Sequence, residues 1–218
     1  MPENIDIRGD AFLDSLVADL KPVAPLRQGM GMAFASLALA LGATLVVAVL
    51  GLRRDLAAGH PDPFVLTAAG VFLVLALASA WGAIDMARPA VGIRRDGWGW
   101  TAAMAAVVPG SALALILTDL VTGQAIDFDR GGIVCLALGI GIGLLTGGAL
   151  ILWLRRGAPS SPTRAGLLIG VAAGAAGIFA VSLWCPHDSL LHIGIWHGAT
   201  VVFAGLLGRI GLPPLLRW

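Results

Sequence analysis

The stretch IVCLALGIGIGLLTGGALILWL at 133–154, followed by RRGAPSSPTR at 155–164 and AGLLIGVAAGAAGIFAVSLWC at 165–185, decides the fold. Two apolar runs flank a polar loop that carries Arg155, Arg156 and Arg164. At about 1.5 Å per residue each run reaches across the roughly 30 Å hydrocarbon core of a bilayer, so the segment reads as an antiparallel hairpin of membrane helices. The chain has 2 cysteines, Cys135 and Cys185. Cys135 lies 20 positions before Arg155 and Cys185 lies 21 after Arg164. Both thiols therefore stand about 30 Å from the loop, at one level of the far membrane face.

Working outward, four more runs have the same character. Spans are expected at 30–52, 64–86, 98–121, 133–154, 165–184 and 190–210, which makes the chain an all-α polytopic membrane protein with a six-helix bundle. With 58% hydrophobic and only 12% charged residues, the composition excludes an ordinary soluble domain. Residues 1–29 are polar, lack the apolar core of a cleavable signal peptide, and are expected to stay attached as a separate tail ahead of the 30–218 membrane domain. Pro109-Gly110 falls in the middle of the third span as a candidate kink, and Asp119 falls near its end, where an acid is expected to be solvated.

Charge placement orients the bundle. With the N-terminus inside, the inner segments hold Arg8, Lys21, Arg27, Arg88, Arg94, Arg95, Arg155, Arg156, Arg164, Arg209 and Arg217, against Arg53, Arg54 and Arg130 outside. The positive-inside rule then makes both termini cytoplasmic and turns the segment Cys185-Pro186-His187-Asp188 outward. Trp81, Trp98, Trp100, Trp153 and Trp184 fall near the expected interfaces. The outer loops are too short for a folded domain, so anything sensed there is small.

The tail contains Asp-Ala-Phe-Leu-Asp-Ser-Leu-Val-Ala-Asp-Leu-Lys-Pro-Val, beginning at Asp10. Phe12, Leu13, Leu16, Val17 and Leu20 share one helical stripe, with Asp10 as a candidate N-cap and Pro22 as a stop. So short an amphipathic helix is marginal alone and must bury its face on the bilayer, on the bundle or in the groove of a partner. Its acidity disfavours anionic lipid, and Phe12, Leu13, Leu16, Val17, Asp19, Leu20, Lys21, Pro22 and Val23 form the expected partner surface.

Gly139, Gly143 and Gly147 repeat at four-residue spacing in the fourth span, and Gly166, Gly170 and Gly174 do so in the fifth. Two such ridges on one hairpin are expected to face each other and draw Cys135 and Cys185 together. Outside the inner membrane the pair is open to three uses: an oxidisable dithiol, a structural bridge, or a soft-metal site assisted by His187, Asp188 or His192. Spacing opposes a full histidine set, because His187, His192 and His197 are five apart, about 140° around a regular helix. His197 is expected about 10 Å into the sixth span, where an ionisable side chain marks either function or a bond to a neighbouring backbone.

Enzyme signatures are absent from the sequence: there is no Cys-x-x-Cys, no His-Glu-x-x-His, and no phosphate-binding loop with Lys. The expectation is a non-enzyme. A small-solute or metal-ion transporter, with Cys185, His192 and His197 along an entry path, is the alternative. Four pieces then carry a resemblance: Asp19-Leu20-Lys21-Pro22-Val23, Leu154-Arg155-Arg156-Gly157-Ala158-Pro159, Cys185-Pro186-His187-Asp188-Ser189 and Trp196-His197. In this order and on this topology, through to Arg217-Trp218, they resemble the NrsF family of six-helix inner-membrane anti-sigma factors. The resemblance implies a chain that holds an extracytoplasmic-function sigma factor inactive and frees it under stress. It also implies that Cys135 and Cys185 take part in the signal response, and the chemistry of paired thiols makes an oxidant or a heavy metal the expected signal. No resident cofactor is expected, only transient heavy-metal binding at the thiols, and the partners are the sigma factor and the lipid bilayer, with no direct nucleic-acid contact. The His-x-x-x-Cys-x-x-Cys motif of soluble anti-sigma domains is missing, so the tail must bind by another surface.

Overall fold

The computed structural model of the chain describes residues 7–18, 26–87, 131–157 and 159–216, with isolated positions between 103 and 122. These residues form helices and turns, with no strand among them. Five helices are long and apolar enough to cross a membrane: α2 (Gln28–Leu50), α4 (Pro63–Met86), α5 (Gly132–Leu154), α6 (Pro162–Ser182) and a composite helix over Leu190–Gly211. Shorter pieces are α1 (Ile7–Ala18), α3 (Arg54–Ala57) and α9 (Pro213–Leu216). The third expected span, with Pro109 and Asp119, lies largely outside the described residues, as do Asp19, Leu20, Lys21, Pro22 and Val23 of the tail.

Local chemistry sets the helix ends. The Asp62 carboxylate accepts from the Val65 amide at 3.0 Å, with Pro63 in the first helical position, where its missing N–H costs nothing. Ser161 and Pro162 repeat the device for α6, the Ser161 hydroxyl accepting from the Arg164 amide. This is why α6 starts at Pro162, three positions ahead of the first apolar residue. Gly51 closes α2 at φ +91°, a conformation that L side chains rarely adopt. In the tail, α1 begins at Ile7, so Asp10 lies within the helix and is not its N-cap.

At the centre is α6. Of its apolar window 83% is buried, against 17% for α2, because α6 packs on α4, α5, α8 (Gly198–Gly211) and α2 while α2 lies at the rim. One core cluster gathers Phe72, Cys135, Ile178, Val181, Cys185, Ile193 and Val201 at one end of the bundle; a second gathers Ile84, Leu150, Trp153, Leu154, Ile169 and Leu216 at the other. Leu37, Leu41, Leu45 and Val49 of α2 and Phe203, Leu206, Leu207 and Ile210 of α8 stay exposed, a surface suited to lipid. Trp153 departs from the expected interfacial role. It is buried at 4% exposure against Gly31 and Phe34 of α2, with the Arg156 guanidinium 5.8 Å from its ring.

Small residues set the helix spacing, with one correction to the expected ridges. Gly139 and Gly143 of α5 do meet α6, but at Ala173 and Gly177; Gly166, Gly170 and Gly174 face α8 instead, at Gly208, Ala204 and Val201. A central helix has neighbours on both sides, so α6 carries two small-residue faces, and the regular four-residue repeat belongs to the α8 contact.

Candidate functional site

Cys135 sits in the first turn of α5 and Cys185 three residues beyond α6, where its amide still donates to the Val181 carbonyl at 2.8 Å. The close approach of α5 and α6 at Gly139 and Gly177 brings the two thiols together. Their sulfurs are 3.5 Å apart and both residues are buried, at 3% and 1% exposure. Neither cysteine is in a disulfide. The Cys135 thiol donates to Cys185, and this bond, aided by His192 against the opposing effect of burial, holds the Cys185 thiol far below the usual thiol range.

Three histidines close around Cys185. Ser189 caps α7 (Leu190–His192) by accepting from the His192 amide at 3.2 Å, and this turn points the His192 Nε2 at the Cys185 sulfur, 3.5 Å away. His187 stacks on His192 with centroids 4.3 Å apart and an interplanar angle of 9°, its Nδ1 3.8 Å from the same sulfur. His197 meets His192 edge-on at 5.3 Å.

That last contact runs against the expectation from spacing. Residues five apart diverge on an α-helix, but Ile193–His197 is a π-helical turn, whose i→i+5 pattern returns His197 to the His192 side. Ligand atoms of Cys135, Cys185, His192 and His197 all lie within 4.8 Å of one another, and all four residues are buried. His187 is half-buried at the edge and Asp188 is exposed, outside this group. Cys185, His192 and His197 are at most 3% exposed, so within the described residues they line no open path.

The sequence reading missed two positions. Arg53, counted only as an outer charge, is 9% exposed and reaches across the fold: its guanidinium donates to the Cys185 carbonyl at 2.8 Å and to the Asp55 carboxylate at 2.5 Å, and its amide donates to the Leu183 carbonyl at 2.9 Å. The Arg53 side chain and the Asp62 amide hold the Asp55 carboxyl down to about 2. A pocket of about 710 Å³ lined by Arg53, Arg54, Asp55, Trp184 and Pro186 opens beside this clamp. Ser182, one turn below Cys185, is the second: its hydroxyl donates to the Ile178 carbonyl at 2.8 Å and lies 3.4 Å from the His197 Nδ1. No local pattern marks either residue, since each acts on a partner distant in sequence.

At the other end of the chain, residues 12–18 of α1 are all exposed. Phe12, Leu13, Leu16 and Val17 are exposed, at 64%, 57%, 50% and 63%.

A model of the family described as NrsF, negative regulator of sigma F, matches residues 16–218. A curated relative, the anti-sigma-F factor NrsF of Caulobacter vibrioides (strain NA1000 / CB15N), is 28% identical over 221 residues, covering 97% of this chain and 100% of that protein. No solved structure matches the chain.

Proposed function

The chain belongs to the NrsF family, and on that premise we propose that it is a membrane-held anti-sigma factor that works by sequestration and not by catalysis. The bundle lies in the bacterial inner membrane with both termini cytoplasmic, the tail holds an extracytoplasmic-function sigma factor, and a periplasm-facing thiol pair controls its release. The observation that carries the output half is the exposed stripe Phe12, Leu13, Leu16 and Val17 on α1. A 12-residue helix is marginal alone in water, and these side chains gain little burial from the chain itself. An apolar groove on a soluble partner supplies the missing burial. The family match begins at residue 16, inside α1.

On the input side, the 3.5 Å thiol pair supports sensing of an oxidant or a heavy metal. Oxidation removes two electrons and two protons to a thiol-specific oxidant and joins the sulfurs; a soft metal ion displaces the thiol proton and is ligated. Either event changes the connection between α6 and the composite helix. The charge bias supports the orientation, and Arg53, one of the three basic residues assigned outside, is already neutralised by Asp55.

Co-purification of sigma factors from the host cell, with the full chain and with residues 1–28 deleted, tests the reading. Capture by the full chain and loss on deletion are expected. Retention of the sigma factor by the truncated chain would refute the tail as its holder, and retention by Cys135→Ser and Cys185→Ser chains under oxidant, where the unmodified chain lets go, is expected of the thiols as input.

A further inference from the structure

The geometry points to a four-coordinate site for a divalent d10 cation of the zinc class, built from the Sγ atoms of Cys135 and Cys185 and the Nε2 atoms of His192 and His197. It deepens the proposed input and rests on that reading for its consequence, though not for the binding itself.

The dimensions fit. A tetrahedral centre with bonds of about 2.3 Å to sulfur and about 2.05 Å to nitrogen spaces its sulfurs about 3.8 Å apart and each sulfur about 3.6 Å from a nitrogen. The two sulfurs here are 3.5 Å apart, and the His192 Nε2 is 3.5 Å from the Cys185 sulfur. One ligand atom from each of the four residues falls within 4.8 Å of the others, so the widest pair closes by at most about 1.4 Å to reach a tetrahedral edge.

The His197 tautomer provides an independent argument. Ser182 has one hydroxyl proton and donates it to the Ile178 carbonyl at 2.8 Å, so toward the His197 Nδ1, 3.4 Å away, it acts as acceptor. The ring proton therefore sits on Nδ1 and leaves the Nε2 with its lone pair. His197 is 2% exposed and that Nε2 has no hydrogen-bond partner, a cost in a buried place unless a ligand takes it up. A metal-bound histidine whose other ring nitrogen donates to a fixed acceptor has this arrangement.

Charge and backbone agree. Two thiolates neutralise a divalent ion, and two neutral imidazoles complete the shell, so the filled site adds no net charge to an interior bounded by Phe72, Ile178 and Val181. Mixed sulfur and nitrogen ligands in a tetrahedron favour zinc-class ions. The π-turn Ile193–His197 sacrifices regular helical bonding at the one place where it brings a second histidine to the thiols. His187, half-buried over His192, lies outside the set.

Titration of the reduced, purified full chain in nanodiscs with cobalt(II), followed by zinc(II) competition, tests the site. One equivalent of cobalt with the visible bands of tetrahedral thiolate ligation, displaced by one equivalent of zinc, is expected. Ser182→Ala should weaken binding about 10–100-fold, His192→Ala and His197→Ala at least as much, and His187→Ala and His60→Ala by less than threefold. Unchanged affinity in both His192→Ala and His197→Ala, or octahedral cobalt, would overturn the proposal. X-ray absorption of the unmodified zinc-loaded chain needs no variant: two sulfurs at about 2.3 Å and two nitrogens at about 2.0–2.1 Å are expected, and any other sulfur count overturns it. Because no sigma factor enters these measurements, their failure leaves the anti-sigma reading standing, and failed sequestration leaves the site standing.

Discussion

Replacing Gly177 by alanine should part the two thiols without touching either. At this level α5 and α6 approach backbone to backbone. A Cβ on Gly177 would overlap the Gly139 carbonyl oxygen and stand 2.8 Å from the Gly143 amide nitrogen, where ordinary contact begins at 3.4 Å. Clearing the amide alone takes about 0.6 Å and the carbonyl takes more, so the helices must separate by on the order of 1 Å, because backbone atoms cannot rotate aside as a side chain can. Overpacking of this kind costs about 1–3 kcal/mol. Gly139 lies one turn from Cys135, so the opening falls at the thiols and carries their sulfurs from 3.5 Å to beyond about 4.5 Å. In isolated membranes treated with graded mild oxidant, Cys135–Cys185 disulfide, read by maleimide mass-tagging after quenching, should form about tenfold more slowly, equivalent to about 1.4 kcal/mol. Gly141→Ala and Gly148→Ala add a methyl to open space and should cross-link as the unmodified chain does. If Gly177→Ala matched those controls, the argument from glycine contact to thiol distance would be refuted.

Arg53→Gln should free the Cys185 carbonyl and speed alkylation of Cys185 several-fold by a small maleimide, leaving helical content unchanged by circular dichroism. Asp55 should titrate near about 2 by carboxyl NMR and return toward its ordinary 3.8 in that variant; since its folded pKa is depressed, its contribution to the loop is present above about pH 4 and is lost as pH falls toward 2. Leu16→Asp, placing a charge on the exposed face of α1, should weaken sigma-factor capture at least tenfold while membrane insertion stays normal.

Much of the fold was legible because a bilayer asks one simple thing of a sequence, length without charge. Five of the expected spans return as helices, with the largest shift at Pro162, where capping chemistry extends the apolar run. The equal depth of Cys135 and Cys185 was legible for the same reason: a rise per residue converts counting into height. Lateral position was not. Which face of α6 meets α5 depends on Ala173 and Gly177, one position off the regular glycine repeat, because both faces of a central helix are lined with small residues. Convergence of His192 and His197 was hidden more deeply. Periodicity presumes a regular helix, and one π-turn turns the divergence computed from five-residue spacing into convergence.

The clamp at Arg53 suggests how an event at the thiols gains purchase on the tail. Arg53 follows the C-terminal end of α2 and bonds both Leu183 and Cys185, so the segment bearing Cys185 is tied to the helix that leads back along the chain to α1. With 23 residues α2 is a rod of about 34 Å. Among the described spans it is also the least buried, at 17%, so shifting it disturbs less packing than shifting α6 would. Its N-terminal end is held by Gln28, which donates to Asp85 at 2.7 Å, and by Gly31 and Phe34 against Trp153. Driving a two-state bundle from 1:99 to 99:1 takes about 5.5 kcal/mol of differential free energy. A structural zinc-class site supplies apparent values of about 10–16 kcal/mol. Ligation that favours one arrangement of the Cys185 segment by a little over half of even the lower value would suffice for the proposed switch.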